Sequence, residues 1–231
     1  MYAIKKKGHA TKRQAEPKIK SLFDRAMDYL RERRGKIAPV VIAAAAIGIG
    51  IAAYTLIQSN RDAKASVLLS RAYEYYRPSS DGPADYIKAL EQFTEIKNNY
   101  SGTKSAAVAW FYAAGSLVNL GRMDEALKEY KGLADGRAGG KLISGLAYQR
   151  MGYLLAGQDK HDEAIKAFES AERLLGAGPA TMELARLYEQ LGNKSEAEKK
   201  YKTIVERLPG TRWAFDAMTK IQPQQPAAGV K

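Results

Sequence analysis

The sequence contains no cysteine in 231 residues, and it has only two histidines, His9 and His161. The lack of cysteine excludes disulfide bonds, thiolate metal sites, a cysteine nucleophile and a lipidated N-terminal cysteine. Two histidines far apart in the chain are too few for a metal cluster or a histidine-dependent catalytic triad. The composition therefore argues against several common kinds of catalytic centre.

Other catalytic motifs are also missing. Gly136, Gly139 and Gly140 follow no predicted strand and precede no Gly-Lys-Ser/Thr sequence, so they form no phosphate-binding loop. Carboxylate pairs stand at 124–125 and 162–163, but both occupy the start of a predicted helix, where they complement the positive end of the helix dipole. We therefore expect no enzyme activity, no cofactor and no metal site.

A long apolar run lies near the N-terminus. Ile37 to Ile57 contains no charged residue, and a helix of that length reaches about 30 Å, the thickness of bilayer hydrocarbon. We predict a transmembrane helix over 37–57. The alternatives are a buried core helix and a cleaved signal peptide with Ala63-Lys64-Ala65 as its cleavage site. The leader and the apolar run both exceed signal-peptide length, which favours an uncleaved anchor.

Positive charge is concentrated before this run. Of a net charge of +12, residues 1–36 contribute 12 Lys/Arg against 4 Asp/Glu. Because positive flanks tend to stay cytoplasmic, we expect the N-terminus inside. If the host is a Gram-negative bacterium, the span lies in the inner membrane and the rest of the chain in the periplasm. Apolar residues at helical spacing from Pro17 to Arg34 predict a basic amphipathic helix that binds anionic lipid. Nucleic-acid binding is not expected, because interleaved aromatic residues and a binding fold are absent.

After the apolar run, the sequence repeats. Four segments place an alanine four residues before an aromatic residue, and successive alanines are 37, 38 and 33 residues apart. Another helical segment precedes each of them, which predicts eight helices in four pairs. The alanine allows close helix approach, and the aromatic residue fills the space against the neighbouring helix. These residues are Ala89 with Phe93, Ala126 with Tyr130, Ala164 with Phe168, and Ala197 with Tyr201.

The repeat resembles the tetratricopeptide repeat (TPR) family, whose unit is a helix-turn-helix of about 34 residues. Tyr73, Trp110 and Tyr148 stand sixteen positions before three of the alanines, where that family favours an aromatic residue. Together with the predicted span, the resemblance implies an all-α fold with one N-terminal transmembrane helix, a TPR-like α-solenoid of about four helix pairs and a C-terminal capping helix. The predicted divisions are a basic leader 1–36, the span 37–57, the solenoid 58–221 and a disordered tail 222–231.

Two similar segments predict helix starts within the solenoid. Ser101-Gly-Thr-Lys-Ser-Ala106 and Pro209-Gly-Thr-Arg-Trp-Ala214 place a threonine just before a helical run. A threonine hydroxyl there can accept a hydrogen bond from a backbone N–H of the first turn. We therefore predict that Thr103 and Thr211 are helix N-caps, and that the capping helix runs from Thr211 to Ile221.

The order of these parts narrows the resemblance. A basic leader, one span and degenerate repeats that end in 208–214 make the chain similar to the bacterial family of ancillary Sec-translocon subunits. That family's implied role is to sit beside the translocation channel and help pass emerging proteins to periplasmic chaperones. The alternative is a structural scaffold of a division or cell-wall complex. Both interpretations imply protein or peptide partners.

Candidate binding residues lie on the predicted first helices, which line the concave surface of such solenoids. Tyr112 and Arg150 are candidates to reach a partner, whereas Trp110 and Tyr148 are candidates either for that surface or for the core. Small residues spaced four apart could also pack two copies of the span together, as a homo-oligomer. Those span residues are Ala44 with Gly48 and Ala46 with Gly50.

Overall fold

The computed structural model describes residues 24, 27–29, 31–78, 82–136 and 138–221. Much of the predicted amphipathic helix over 17–34 and the whole predicted tail over 222–231 lie outside these residues. The chain divides into two compact units, Met1–Ile57 and Gln58–Lys231. Within the described residues, nine helices have defined bounds: α1 Arg34–Tyr76, α2 Tyr86–Asn99, α3 Lys104–Asn119, α4 Met123–Asp135, α5 Gly140–Ala156, α6 His161–Leu175, α7 Pro179–Gln190, α8 Lys194–Arg207 and α9 Arg212–Ile221.

Helix α1 is longer than the sequence indicated. The apolar run and the first helix of the repeats were expected as separate segments, but α1 continues through both for 43 residues. Residues 58–66 contain neither glycine nor proline, so no residue between the two segments interrupts the helix. Its N-terminal part is long and apolar enough to cross a membrane, and the side chains over 38–57 are exposed.

The second unit consists of stacked helix pairs, which confirms the predicted all-α solenoid. From α2 onward, each helix packs against the next one in the chain. The C-terminal part of α1 packs on α2 through Ala65, Ala72 and Phe93. The other pairs are α3 with α4, α5 with α6, and α7 with α8, and α9 packs on α8.

The four alanine–aromatic pairs form the centre of the helix packing. Each alanine and its aromatic residue are buried, with exposed fractions of 4% or less. Gly152 of α5 lies opposite Phe168 of α6, and a Cβ atom at residue 152 would stand 2.6 Å from the phenylalanine ring. The helices can therefore approach only because residue 152 is glycine.

The predicted N-caps are present. Thr103 Oγ1 accepts a hydrogen bond from the N–H of Ala106 at 3.1 Å, and Thr211 Oγ1 accepts one from Ala214 at 3.2 Å. Helix α3 ends before Gly121, which has a φ of 74°. Glycine occupies this left-handed conformation without the steric cost that a Cβ atom would bring. Local sequence therefore sets where α3 begins and where it ends.

Candidate functional site

Three cavities contain the four candidate residues of the solenoid. Tyr112 and Arg150 line the same cavity, of about 370 Å³. Trp110 lines a second cavity of about 320 Å³, and Tyr148 lines a third of about 550 Å³. The structure thus brings Tyr112 and Arg150 together and places Trp110 and Tyr148 elsewhere.

The cavity that Tyr112 and Arg150 share is built mainly from first helices of three successive pairs. Helix α1 contributes one side of it, α3 the middle and α5 the other side, and one side chain comes from α4. A site on the first helices faces the surface that TPR-like solenoids use for partners. We call it the aromatic cavity, and define it by Tyr76, Phe111, Tyr112, Tyr130, Arg150 and Tyr153.

Edge-to-face ring contacts hold Tyr112 in position. Its ring centroid lies 5.2 Å from that of Tyr76 and 4.5 Å from that of Tyr73, with interplanar angles of 81° and 71°. Phe111 continues the arrangement, with centroids 5.5 Å from Tyr112 and 5.4 Å from Tyr130. Such pairs add about 0.5–1.5 kcal/mol each beyond the burial of their area. The cavity wall is therefore a packed set of rings rather than a group of independent side chains.

A glycine in α3 makes room for one of these rings. A Cβ atom at Gly115 would stand 2.9 Å from the Tyr76 hydroxyl oxygen and 3.5 Å from that of Tyr130. Real Cβ atoms do not approach an oxygen so closely, so a larger residue would push Tyr76 outward. Gly115 thus determines how deep the aromatic cavity is.

The electrostatics of the aromatic cavity come from two buried hydroxyls and one arginine. Burial raises the pKa of Tyr76 and that of Tyr130. A side-chain hydrogen bond with Asn119 and then the positive charge of Arg150 partly oppose the shift at Tyr76, and Arg150 partly opposes the shift at Tyr130. The hydroxyls are therefore uncharged at neutral pH and can donate hydrogen bonds. Arg150 is exposed and forms no ion pair within the described residues. The cavity is aromatic, and the described residues place one positive charge at its edge without a carboxylate paired to it.

Trp110 is tied to its surroundings by polar contacts. Its indole Nε1 donates to the Glu129 carboxylate, and Lys97 Nζ lies 4.7 Å from the ring centroid. Lys97 also donates to Glu129 at 2.7 Å. Trp110 is half-buried against the core of the second pair. These contacts give Trp110 a packing role between the first two pairs.

Tyr148 is held in a similar way. Its hydroxyl donates to Asp135 Oδ1 at 2.7 Å, and Lys131 Nζ donates to the other oxygen of the same carboxylate at 2.7 Å. The two donors, Lys131 first, lower the pKa of Asp135. Tyr148 also packs against two neighbouring core clusters. Its ring therefore connects α5 to α4.

Among the residues that line the cavity, only Tyr112 and Arg150 were predicted as site residues, and Tyr76, Tyr130 and Gly115 show why the others were not. Tyr76 stands three positions after Tyr73, so both lie on one side of α1, and that spacing could have indicated it. Tyr130 was assigned to the core, and its hydroxyl also reaches the cavity. No signal in a single sequence distinguishes Gly115 from the small residues beside it.

The described residues offer little for chemistry. Within them, no group of three or more His, Cys, Asp or Glu side chains could hold a metal ion. The span residues Gly48 and Gly50 have no neighbouring atom within 4 Å in the single chain. Their role in packing two copies stays a prediction.

The family follows from a match over most of the chain. The model of the tetratricopeptide repeat-like domain matches residues 29–221. The chain belongs to the tetratricopeptide repeat-like family. TPR-like domains are scaffolds that bind proteins and are not typically enzymes, so this chain carries a TPR-like protein-interaction domain.

A curated relative adds a narrower similarity. The TPR-like chain is 27% identical over 183 residues to the "Ancillary SecYEG translocon subunit" of Neisseria gonorrhoeae (strain ATCC 700825 / FA 1090). The match covers 78% of this chain and 85% of that relative. This match confirms the predicted resemblance to ancillary translocon subunits.

Solved structures share the fold. A tetratricopeptide repeat protein from Parabacteroides merdae ATCC 43184 matches with a TM-score of 0.54 at 16% identity, over 68% of this chain and 58% of that one. A MamA protein matches with a TM-score of 0.50 at 15% identity, over 71% of this chain and 80% of that one. Both confirm the TPR-like arrangement of the helices and, at these identities, nothing further.

Proposed function

We propose that this chain is a membrane-anchored adaptor that works beside the protein-translocation channel and binds exported proteins or their chaperones with its TPR-like domain. The observation that carries the proposal is the aromatic cavity, which crosses three first helices. The arginine at its edge, Arg150, forms no ion pair with any residue that the structure describes. An open cavity of packed aromatic rings suits an extended polypeptide segment. The similarity to an ancillary translocon subunit supports the choice of partners.

The anchor in this proposal is the apolar part of α1. Residues 37–57 have the length and composition of a span, and they follow a strongly basic leader. In a bacterial inner membrane this charge difference favours a cytoplasmic N-terminus and a periplasmic TPR-like domain. The basic leader would then lie against anionic lipid of the inner leaflet.

Contacts near the alternative cleavage site support an anchor that is not removed. Ala65 has no exposed surface and belongs to the core cluster that includes Phe93. Asp62 Oδ1 accepts a hydrogen bond from the N–H of Ser105 at 2.9 Å, and Arg61 donates to the Asn99 carbonyl at 3.1 Å. Cleavage after Ala65 would remove all of these contacts from the solenoid.

Site-specific photo-crosslinking of the full chain in its membrane tests the proposed function. A photoreactive residue at Tyr112 or Tyr153 samples the aromatic cavity, and one at exposed Lys166 of α6 is the matched control outside it. We expect channel subunits and nascent exported chains to crosslink from the cavity and not from Lys166. Recovery of division or cell-wall proteins instead would contradict the proposal and favour the scaffold alternative.

Self-association through the span is a separate part of the proposal. In the span, Ala44 and Gly48 lie one helical turn apart, as do Ala46 and Gly50, so two helices could approach closely along this side. Gly48→Ile would then lower the signal of an in-membrane dimerisation assay, and Ile49→Leu would leave it unchanged. An unchanged signal for Gly48→Ile would contradict self-association.

A further inference from the structure

The walls and the size of the aromatic cavity limit what can enter it. Its volume of about 370 Å³ is lined by the rings of Tyr76, Phe111, Tyr112 and Tyr153, with α1, α3 and α5 all contributing. Aromatic walls favour a large apolar group over a small polar one, because its burial removes apolar surface from water. One large apolar side chain of an extended segment, with its neighbours, fits this volume.

The charge of the cavity limits the ligand further. Arg150 is the one charged side chain among the described residues that line it. No carboxylate pairs with Arg150 within the described part of the chain. A guanidinium has five N–H donors and binds a carboxylate through two parallel hydrogen bonds. A single arginine balances a single negative charge, which fits a carboxylate better than a doubly charged phosphate.

The neutral groups nearby are also donors. The hydroxyls of Tyr76 and Tyr130 stay protonated at neutral pH, and they lie in the cavity within the field of Arg150. A bound carboxylate could accept hydrogen bonds from them as well as from the arginine. A bound cation would instead meet Arg150, and the described residues that line the cavity include no carboxylate to offset the repulsion.

From this charge and shape we propose that the aromatic cavity selects extended segments in which an aspartate or glutamate side chain stands next to a large apolar residue. The apolar residue packs among the rings of Tyr112 and Tyr153, and the carboxylate pairs with Arg150. This inference rests on the proposed protein-binding function and specifies its ligand. An internal acidic residue is favoured over a chain terminus, because three successive helices line the cavity and a segment can cross it.

Fluorescence anisotropy with designed peptides tests this selection. The full chain in detergent micelles is titrated against labelled ten-residue peptides of glycine and serine with blocked ends and a central Phe-Glu, Phe-Gln or Ala-Glu. We expect the Phe-Glu peptide to bind about tenfold or more tightly than the Phe-Gln peptide, which lacks the charge-assisted hydrogen bonds. The Ala-Glu peptide should bind more weakly than Phe-Glu, because it leaves the rings unfilled.

Two arginine variants locate the effect. Arg150→Gln should remove the preference for Phe-Glu over Phe-Gln while it keeps the binding of Phe-Gln. Arg173→Gln, an exposed arginine of α6 outside this cavity, makes the same change of net charge and should keep the preference. If Arg173→Gln weakened Phe-Glu binding as much as Arg150→Gln does, the selection would come from overall charge, and the inference would be overturned.

The remaining outcomes separate this inference from the proposed function. Equal affinity of wild-type protein for Phe-Glu and Phe-Gln would overturn the carboxylate selection and leave protein binding in place. Tighter binding of a peptide that ends in Phe with a free terminal carboxylate would overturn the internal site. If the proposed function itself is wrong, a different result is expected: crosslinking from Tyr112 and Tyr153 recovers no exported chain.

Discussion

Lys97 Nζ and Glu129 Oε2 lie 2.7 Å apart and connect the second helix of the first pair with the second helix of the next. Lys97 stands eight residues after the repeat alanine of its pair, and Glu129 stands three residues after its own. The same two repeat positions meet again in Glu172 and Lys200, whose charged atoms are 2.5 Å apart, with the signs reversed. An ion pair at equivalent positions therefore connects α2 to α4 and α6 to α8.

The middle junction differs from the two that carry ion pairs. The equivalent positions there are Ala134 and Ala167, which are both buried. The two ion pairs have opposite polarity. If the helix pairs stacked in another order, so that Lys97 faced Lys200 or Glu172 faced Glu129, like charges would meet. The charges thus favour the observed order of the helix pairs, in addition to any stability that they contribute.

A double-mutant cycle measures the first of these ion pairs. We expect a coupling of about 0.5–1 kcal/mol between Lys97→Ala and Glu129→Ala, since both side chains are about a quarter to a third exposed. Urea denaturation of the detergent-solubilised chain, followed by circular dichroism, gives the four free energies of unfolding. Lys202 and Glu198 form an exposed pair within α8 and serve as the control cycle. A coupling no larger than that of the control would contradict the role assigned to Lys97 and Glu129.

Replacement of Gly152 tests the close packing of α5 on α6. Alanine favours a helix over glycine by up to about 1 kcal/mol, so Gly152→Ala would be stabilising in open space. The Phe168 ring, 2.6 Å from the added Cβ atom, makes us expect a net loss of about 1–3 kcal/mol in the free energy of unfolding. Gly178→Ala is the control for added volume, because nothing lies within 4 Å of that position. Gly178 is the N-cap of α7, where alanine is poorer than glycine, so we expect a loss below about 1 kcal/mol.

The close packing of the helix pairs could be predicted from the sequence, because it depends on small and large residues at a fixed spacing. Ala164 and Phe168, a small and a large side chain four residues apart, predict the packed side of their helix. Thr103 predicts a helix start, because its hydroxyl can accept a hydrogen bond from the first turn. The aromatic cavity was only partly predictable from the sequence, since Tyr76, Tyr112 and Arg150 line it from three different helices. Helical spacing places residues on a side of one helix, but the rotation between neighbouring pairs decides which of them meet. For the same reason the sequence left Trp110 and Tyr148 open between the partner surface and the core.

The stability of the C-terminal end should depend on pH through Glu189. Its carboxylate accepts hydrogen bonds from Lys220 at 3.0 Å and Tyr201 at 2.8 Å, and these donors lower the pKa of Glu189, with Lys220 as the larger cause. A lowered pKa in the folded state means that the stabilisation is complete above the ordinary value of 4.5 and is lost as pH falls through the folded-state pKa.

Glu189→Gln should therefore lower the melting temperature at pH 7, and the difference from wild type should shrink below about pH 4.5. Thermal melts of the solubilised chain between pH 3 and pH 7 give this profile. Glu206→Gln is a control on α8, because Glu206 is exposed and has no ion pair among the described residues. If the difference in melting temperature between Glu189→Gln and wild type stayed constant with pH, the lost contacts would not involve the carboxylate charge.

Asp62 lies in α1 shortly after the apolar segment, and its replacement tests whether residues before Ser66 belong to the folded domain. Asp62 Oδ1 accepts a hydrogen bond from the N–H of Ser105, in the first turn of α3, at 2.9 Å. Loss of such a cap costs about 0.5–2 kcal/mol. We expect that loss in the free energy of unfolding for Asp62→Ala and a smaller one for Asp62→Asn, which retains an acceptor oxygen.

The same contact has a consequence for the mature protein. A chain cleaved after Ala65 would lack the Asp62 cap, the buried Ala65 side chain and the Arg61 hydrogen bond to Asn99. We therefore expect the intact mass of the protein extracted from membranes to include residues 1–65. We also expect a version that starts at Ser66 to unfold at a lower urea concentration than one that starts at Gln58. Equal midpoints, together with a mature mass that begins at Ser66, would identify the apolar segment as a signal peptide and leave the TPR-like domain without an anchor.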